Sequence, residues 1–169
     1  QYAYTSSKIF NSDLNIFTFL NDNYFEKDKH ITNLRKEVLD IVCDYIQVAR
    51  NYLINYLGYI RDQSLMIFKK DISQVVKEAA LKIVVKILQS YDRPILEPVI
   101  QVEGLAQLLL DQIKLFKPTP SIKGRIWQIE GELVKRFPEK MEPFRFEIQE
   151  VSFYSLKKMM ETGEGVEIK

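Results

Sequence analysis

Four cations flank a Pro-Thr-Pro turn in the last third of the sequence: Lys114, Lys117, Lys123 and Arg125. The only acidic residue between positions 114 and 130 is Glu130, at the end of this segment. A helix that begins after the turn would add free backbone N–H groups, which bind anions together with nearby positive charge. The segment therefore predicts electrostatic contact with a nucleic-acid phosphate or with an acidic surface of a partner protein.

A second, weaker basic cluster lies earlier in the chain and is diluted by Asp71 and Glu78. Lys77, Lys82 and Lys86 of this cluster would point outward from one helix. They are therefore candidates for contact with a ligand on the inner, concave side of a curved stack of helices. The other members of the cluster are Lys69 and Lys70.

Residues that could support catalysis or bind a metal ion are scarce. His30 is the single histidine, and it has no cysteine nearby, which is typical of a surface residue. Cys43 lies among apolar residues and is expected to be a buried, unreactive thiol. The sequence has no Gly-rich phosphate loop and no paired-cysteine metal motif. We therefore expect no catalytic activity, no metal site, no cofactor and no small-molecule substrate.

Composition and charge indicate an ordinary globular chain. Of its 169 residues, 46% are hydrophobic and 28% charged, with 24 Lys and Arg against 23 Asp and Glu. This balance excludes a strongly basic nucleic-acid-binding protein, so any such contact must be local. A single cysteine fits a reducing intracellular compartment, and no apolar run reaches the ~18 residues of a membrane span. Because the sequence does not begin with Met, we expect it to be part of a longer protein.

Apolar residues recur every three or four positions through most of the chain, which predicts helices and no sheet. Gly58 favours a break in the third helix. Pro94 and Pro98 predict a loop between the fourth and fifth helices, and Gly163 is expected to begin a flexible tail. We expect a first helix that is capped by Ser12 or Asp13 and ends near Phe25. Six further helices are expected over approximately 32–49, 51–68, 73–91, 102–116, 120–137 and 143–160.

The order of these helices predicts an all-α fold of the HEAT or armadillo type, in which antiparallel helix hairpins stack into an α-solenoid. Helices of similar character begin roughly 40 and 46 residues apart, within the ~40–47 of such repeats. Ala79, Ala80 and Gly131 are expected at close helix contacts, because small residues let backbones approach. About three and a half hairpins fit into one segment over 1–169, at approximately 12–49, 51–91, 101–138 and, as a half-hairpin, 141–160.

Taken in order along the chain, several segments resemble those of a known protein family. They are the run from Ala79 to Tyr91, the proline-bearing turn after it, Asp111-Gln112-Ile113, Pro118-Thr119-Pro120, Ile129-Glu130-Gly131-Glu132-Leu133 and Phe137-Pro138-Glu139-Lys140-Met141. From about Leu14 to Met160, their order and spacing resemble the N-terminal helical-repeat region of the DNA-dependent protein kinase catalytic subunits. These belong to the phosphatidylinositol-3-kinase-related kinases.

The resemblance implies a very large nuclear Ser/Thr protein kinase, with its kinase domain elsewhere, that acts in DNA repair by non-homologous end joining. It implies that the N-terminal repeats form a non-catalytic arm that helps to engage DNA ends and the Ku heterodimer. From the balanced charge and the lack of a long apolar run, we expect no membrane partner. Two alternatives stay open. One is a HEAT-repeat protein-interaction scaffold of nuclear transport or trafficking, and the other is a structural spacer in a large assembly.

Overall fold

The computed structural model describes residues 1–11 and 15–162. Within these ranges the chain is all-α, as the periodicity predicts, and contains no strand. The helices are α1 (Tyr2–Asn11), α2 (Ile16–Asp22), α3 (Lys29–Ala49), α4 (Leu57–Lys70), α5 (Gln74–Ser90), α6 (Arg93–Leu96), α7 (Val102–Phe116), α8 (Pro120–Arg136), α9 (Pro138–Met141) and α10 (Arg145–Thr162), with 3-10 segments at Arg50–Tyr56 and Glu142–Phe144.

Helix α5 is the centre of the core. It packs against α3, α4 and α8, and these three contacts are more extensive than those between other pairs of helices. A helix covered on three sides must be apolar around most of its circumference. The sequence meets this requirement with nine buried residues: Val76, Ala79, Ala80, Leu81, Ile83, Val84, Val85, Ile87 and Leu88.

Helices α3, α5 and α8 run in the same direction. Contacts between them occur in the same order along each helix, which is incompatible with an antiparallel arrangement. From α3 to α5, Asp40 pairs with Lys82 at 3.3 Å, and just after the two helices the Tyr91 hydroxyl donates to the backbone carbonyl of Arg50 at 2.7 Å. From α5 to α8, Glu78 pairs with Arg125 at 2.5 Å, and Arg136 donates to the backbone carbonyl of Tyr91 at 2.9 Å.

The three parallel helices recur at a regular interval along the chain. They begin at Lys29, Gln74 and Pro120, which are 45 and 46 residues apart. Short turns join α4 to α5 and α7 to α8, so each of the later two parallel helices is the second half of a helix pair. This arrangement fits a helical-repeat fold, in which successive pairs stack in parallel. The turns that precede α5 and α8 therefore lie at the same end of the stack.

A buried ion pair ties the first helices to the centre. The guanidinium of Arg35 in α3 donates two hydrogen bonds to the carboxylate of Asp71, at 2.9 and 3.0 Å, and both side chains are fully buried. Arg35 also donates to the backbone carbonyl of Glu26, and Asp71 accepts from the backbone N–H of Ser73. The cluster thus joins α3, the turn before it and the turn between α4 and α5.

The N-terminal part differs from the sequence prediction. Helix α1 was not predicted, because the buried Ser6 interrupts its apolar pattern, and the Ser6 hydroxyl is paired with the Tyr45 hydroxyl at 3.0 Å. The predicted caps at Ser12 and Asp13 lie outside the described residues, whereas Asn15 caps α2 by accepting from the N–H of Phe17. Helix α2 ends at Asp22 and not near Phe25.

Helix α3 begins three residues before the predicted start. Asp28 accepts hydrogen bonds from the backbone N–H groups of His30 and Ile31 and so provides a cap that the sequence analysis did not assign. The break predicted at Gly58 lies just before that residue, since the chain is a 3-10 helix up to Tyr56. Leu53 is the single fully buried residue of that segment, which contacts α1, α3 and α4.

The prolines begin short helices as well as ending long ones. The segment 92–100 was predicted as a loop, but it contains α6, in which Pro94 occupies one of the first two helical positions. Pro138 begins α9 in the same way. Backbone N–H groups in the first turn of a helix have no partner within the helix, so a proline, which lacks this group, fits there. A proline can therefore mark the start of a helix as well as the end of the preceding one. The last long helix, α10, begins at Arg145, and the predicted tail at Gly163 lies outside the described residues.

The small residues divide into two groups. Ala79 and Ala80 are buried in the core of α5, as predicted. The prediction for Gly131 is wrong, because Gly131 is exposed on α8 and a Cβ atom there would meet nothing within 4 Å. Burial of its neighbours Ile129, Glu130 and Leu133 turns Gly131 outward.

Among the described residues, none of the helices combines the length and apolar character needed to cross a bilayer.

Replacing Arg35 with Met should destabilise the fold strongly. The substitution leaves Asp71 buried without its cation, and breaking a buried pair in this way costs ~3–5 kcal/mol. The free energy of unfolding from chemical denaturation measures the effect. Arg145→Met, which removes an exposed pair with Glu142, is the control and should cost less than ~1 kcal/mol. Equal losses in the two variants would show that the buried cluster does not hold α3 in place.

Candidate nucleic-acid interface

The turn between α7 and α8 exposes the centre of the predicted basic segment. Lys117 directly follows the last residue of α7 with a φ angle of 44°, in the left-handed region, and its side chain is exposed. Thr119 precedes α8, and Pro120 is its first residue, as predicted. The Thr119 side chain makes no capping hydrogen bond, so it leaves the first N–H groups of α8 to other acceptors. A helix start of this kind attracts anions.

Two of the four predicted cations are already held by acids from other helices. The Lys114 ammonium lies 2.5 Å from the carboxylate of Glu147 in α10, and this hydrogen bond raises the pKa of Lys114. The Arg125 guanidinium lies 2.5 Å from the carboxylate of Glu78 in α5 and also donates to Gln128. Both cations therefore connect helices, and their charge is largely neutralised at short range.

Lys117 and Lys123 differ from the other two. Neither has an ion pair with any residue in the described ranges 1–11 and 15–162. Lys117 lies at the turn itself, and the half-buried Lys123 lies in the first turns of α8. Of the predicted basic segment, these two side chains and the start of α8 are the groups that can bind an external anion.

Lys82 and Lys86 face α3. The Lys82 ammonium lies 3.3 Å from the carboxylate of Asp40, and that of Lys86 lies 3.2 Å from the side-chain oxygen of Gln47. Asp40 also pairs with Lys36 at 2.6 Å. Burial opposes ionisation of Asp40, but its hydrogen bonds to Lys36 and Lys82 and the charges of these lysines lower its pKa nonetheless. The two predicted side chains thus contribute to the α3–α5 contact.

Sequence reasoning did not recognise that the two basic clusters are related by the repeat. Lys77 is the fourth residue of α5, and Lys123 is the fourth residue of α8. Lys70 ends α4, and Lys117 directly follows the end of α7. The turn between α4 and α5 and the turn between α7 and α8 therefore each have one lysine on either side. Because α5 and α8 are parallel, both turns lie at the same end of the stack. The repeat interval was the signal that could have identified this relation.

The lysine side chains at this edge differ in their exposure to solvent. Lys69 and Lys70 are exposed, and the Lys70 ammonium lies 6.0 Å from the centre of the Tyr24 ring. Lys77 is half-buried, and no acid pairs with it in the described part of the chain. We call Lys70, Lys77, Lys117 and Lys123 the lysine edge.

The residues considered for catalysis have ordinary environments. His30 is exposed in the first turn of α3, as expected for a surface residue. Cys43 is buried, as predicted, and burial raises the pKa of its thiol. Across residues 1–11 and 15–162, no three His, Cys, Asp or Glu side chains are grouped in a way that could hold a metal ion.

Comparison with known proteins agrees with the likeness seen in the sequence. The family model described as DNA-PKcs, N-terminal, matches residues 3–166. The chain belongs to the DNA-PKcs N-terminal family. It is similar to a DNA-dependent protein kinase catalytic subunit of Dictyostelium discoideum, with 23% identity over 141 residues, or 80% of this chain. The chain spans about 3% of the length of that relative. No solved structure matches it.

This DNA-PKcs N-terminal chain also contains a buried acid next to its candidate interface. Glu130, the acid at the end of the predicted basic segment, is only 2% exposed. Neither of its carboxylate oxygens has a hydrogen-bond partner in the described part of the chain. Burial, with a smaller contribution from the charge of Glu147, raises the pKa of Glu130 to about 8. Glu130 is therefore largely protonated at neutral pH and does not neutralise the lysine edge.

The burial of Glu130 predicts that stability falls as pH rises. The unfolded chain loses this proton near the ordinary pKa of 4.5, whereas the folded chain keeps it to about 8. Between these values the folded state binds more protons, so the free energy of unfolding decreases with increasing pH. Glu130→Gln cannot ionise, so its gain in stability over the natural chain should be larger at pH 8 than at pH 5.

Thermal unfolding at the two pH values tests this expectation. Glu103→Gln is the control, because Glu103 is exposed on α7, and it should change stability equally at both. A Glu130→Gln gain that does not depend on pH would mean that the carboxylate is ionised in the folded state.

Proposed function

We propose that this chain is a non-catalytic helical scaffold in the N-terminal arm of a DNA-PKcs-like kinase, and that its lysine edge contacts the phosphate backbone at a DNA end. The observation that carries the proposal is the recurrence of a lysine pair around two successive turns on one edge. A row of cations at the repeat interval suits a polymer with regularly spaced negative charge. The family match supports the setting, because the Dictyostelium relative is named as DNA-dependent.

The other parts of the proposal follow from the family. The parent protein would be a Ser/Thr kinase with its kinase domain elsewhere, located in the nucleus and acting in non-homologous end joining. The Ku heterodimer would be the protein partner at the DNA end. Lys114, Arg125, Lys82 and Lys86 would act indirectly, because their contacts with Glu147, Glu78, Asp40 and Gln47 hold the parallel helices in register.

Contacts with phosphate position a protein on DNA without selecting a sequence. The isolated chain should therefore bind duplex DNA weakly, without sequence preference, and with an affinity that falls as salt is added. Each phosphate contact that is lost reduces the slope of log K against log salt concentration by about 1.

The double substitution Lys117→Gln, Lys123→Gln should weaken duplex binding and reduce the salt slope by about 2. Fluorescence anisotropy with a labelled blunt duplex at several salt concentrations measures both quantities. The matched control is Lys135→Gln, Lys158→Gln. It removes the same charge from exposed side chains near the ends of α8 and α10, and it should leave the slope unchanged.

Two results would contradict the proposal. Equal loss of affinity in the control would mean that only net charge matters. If Lys82→Gln, Lys86→Gln abolished binding while the edge variant bound normally, DNA would lie along the α3–α5 face. Unfolding of each variant should be measured as well. Little change is expected for the edge variant, because Lys117 and Lys123 have no ion pair in the described residues, whereas the Lys82, Lys86 variant loses contacts between α3 and α5.

A further inference from the structure

An open groove of about 520 Å³ lies between α4 and α7. It exists because the second helices of the two pairs, α5 and α8, pack closely, whereas their partners α4 and α7 have at most slight contact. Leu65 and Met66 contribute apolar surface from α4, and Leu105 and Leu108 contribute it from α7. The volume lies within the range of ~300–1,000 Å³ that is common for binding clefts.

The walls of the groove have the spacing of helix surfaces. On α4 the lining residues recur at three- and four-residue intervals from Arg61 to Lys70, and on α7 they do so from Gln101 to Leu108. Such rows form ridges that interdigitate with the side chains of another helix. The groove therefore suits an α-helix with apolar side chains at positions i, i+3 or i+4, and i+7.

The charge of the groove is uneven. Arg61 is paired with its neighbour Asp62 at 2.6 Å, so these two charges offset each other. Lys69 and Lys70 line the same groove, are exposed, and have no ion pair in the described ranges of the chain. The unbalanced charge is thus positive and lies at the end of the groove formed by the last turn of α4. An occupant that carries acidic residues there would be attracted.

Gly104 leaves a section of the α7 wall without a side chain. It lines the groove, is exposed, and a Cβ atom at this position would meet nothing within 4 Å. A partner backbone can therefore approach α7 closely at this point. The same geometry means that a larger side chain can be introduced at position 104 without disturbing the core.

We propose that the α4–α7 groove binds an amphipathic α-helix of a partner protein, with a row of apolar side chains on the groove floor and acidic residues beside Lys69 and Lys70. This site goes beyond the proposed DNA contact and does not depend on Lys117 or Lys123. A protein segment is favoured over nucleic acid because the floor is apolar and the walls have helical spacing.

A displayed library of random 16-residue peptides provides the probe. After selection against the 169-residue chain, the enriched peptides should combine an apolar row at helical spacing with acidic residues. Gly104→Glu fills the groove and adds a repelling charge, so it should weaken binding of these peptides at least about tenfold. Gly131→Glu is the matched control, because Gly131 is also exposed on a helix with open space around it, and it should bind them normally.

Lys70 belongs to both the groove and the lysine edge, so further variants compare Lys69, which lines only the groove, with Lys117 and Lys123, which belong only to the edge. Lys69→Glu should weaken binding of the acidic peptides, and Lys117→Gln, Lys123→Gln should not. The proposal is overturned if the selection yields no binders, if the enriched peptides lack acidic residues or the apolar row, or if they bind Gly104→Glu and Gly131→Glu equally. Loss of peptide binding only in the Lys117, Lys123 variant would also overturn it and would assign the peptides to the DNA-binding edge.

Discussion

Burial of α5 on three sides is the constraint on which the rest of the structure depends. A helix that packs against α3, α4 and α8 together cannot rotate about its axis without exposing apolar surface. Ala79 and Ala80 are fully buried in it, so larger residues there would force the neighbouring helices apart. The polar side chains that remain on α5, among them Glu78, Lys82 and Lys86, lie where they can pair with α3 or α8.

These polar contacts determine how the parallel helices are aligned, which hydrophobic packing alone does not do. Pairs near both ends of α5 hold it in register with α3 and α8, and the buried Arg35–Asp71 pair holds the turn that precedes it. Alignment of the helices brings the turns before α5 and α8 to the same edge. The lysine edge is thus a consequence of how the helices pack and are aligned, even though none of its side chains belongs to the core.

The sequence predicted what depends on strong periodicity. The all-α class and helices α5, α7 and α8 were predicted from apolar spacing and from prolines at helix ends, and the family was recognised from the order and spacing of several segments. The shorter elements were not. Helix α1 has a polar residue at its core position, Ser6, and α6 begins at a proline that had been interpreted as a terminator. Gly131 was assigned to a helix contact because of its size, although only the burial of its neighbours determines where it faces.

The candidate interface was predictable to a smaller extent, because charge pairing is a property of the tertiary structure. No local pattern indicates that Glu147 binds Lys114 or that Glu78 binds Arg125, since these partners lie on other helices. The interval between Glu78 and Arg125, however, is close to one repeat, and a comparison of equivalent positions would have suggested this pair. Glu130 was likewise noted only as the acid at the end of the basic segment, and no local pattern indicates that the fold buries it.

The central claim is that stacking of parallel helices presents the lysine edge to DNA. Amide hydrogen exchange of the chain, measured with and without a short blunt duplex at low salt, tests it most directly. The account predicts slower exchange upon DNA addition at the turns around residues 70–77 and 116–124, and no change in the stretch of α3 that faces Lys82 and Lys86. Slower exchange confined to the α3–α5 face, or the absence of any change at both turns, would contradict it.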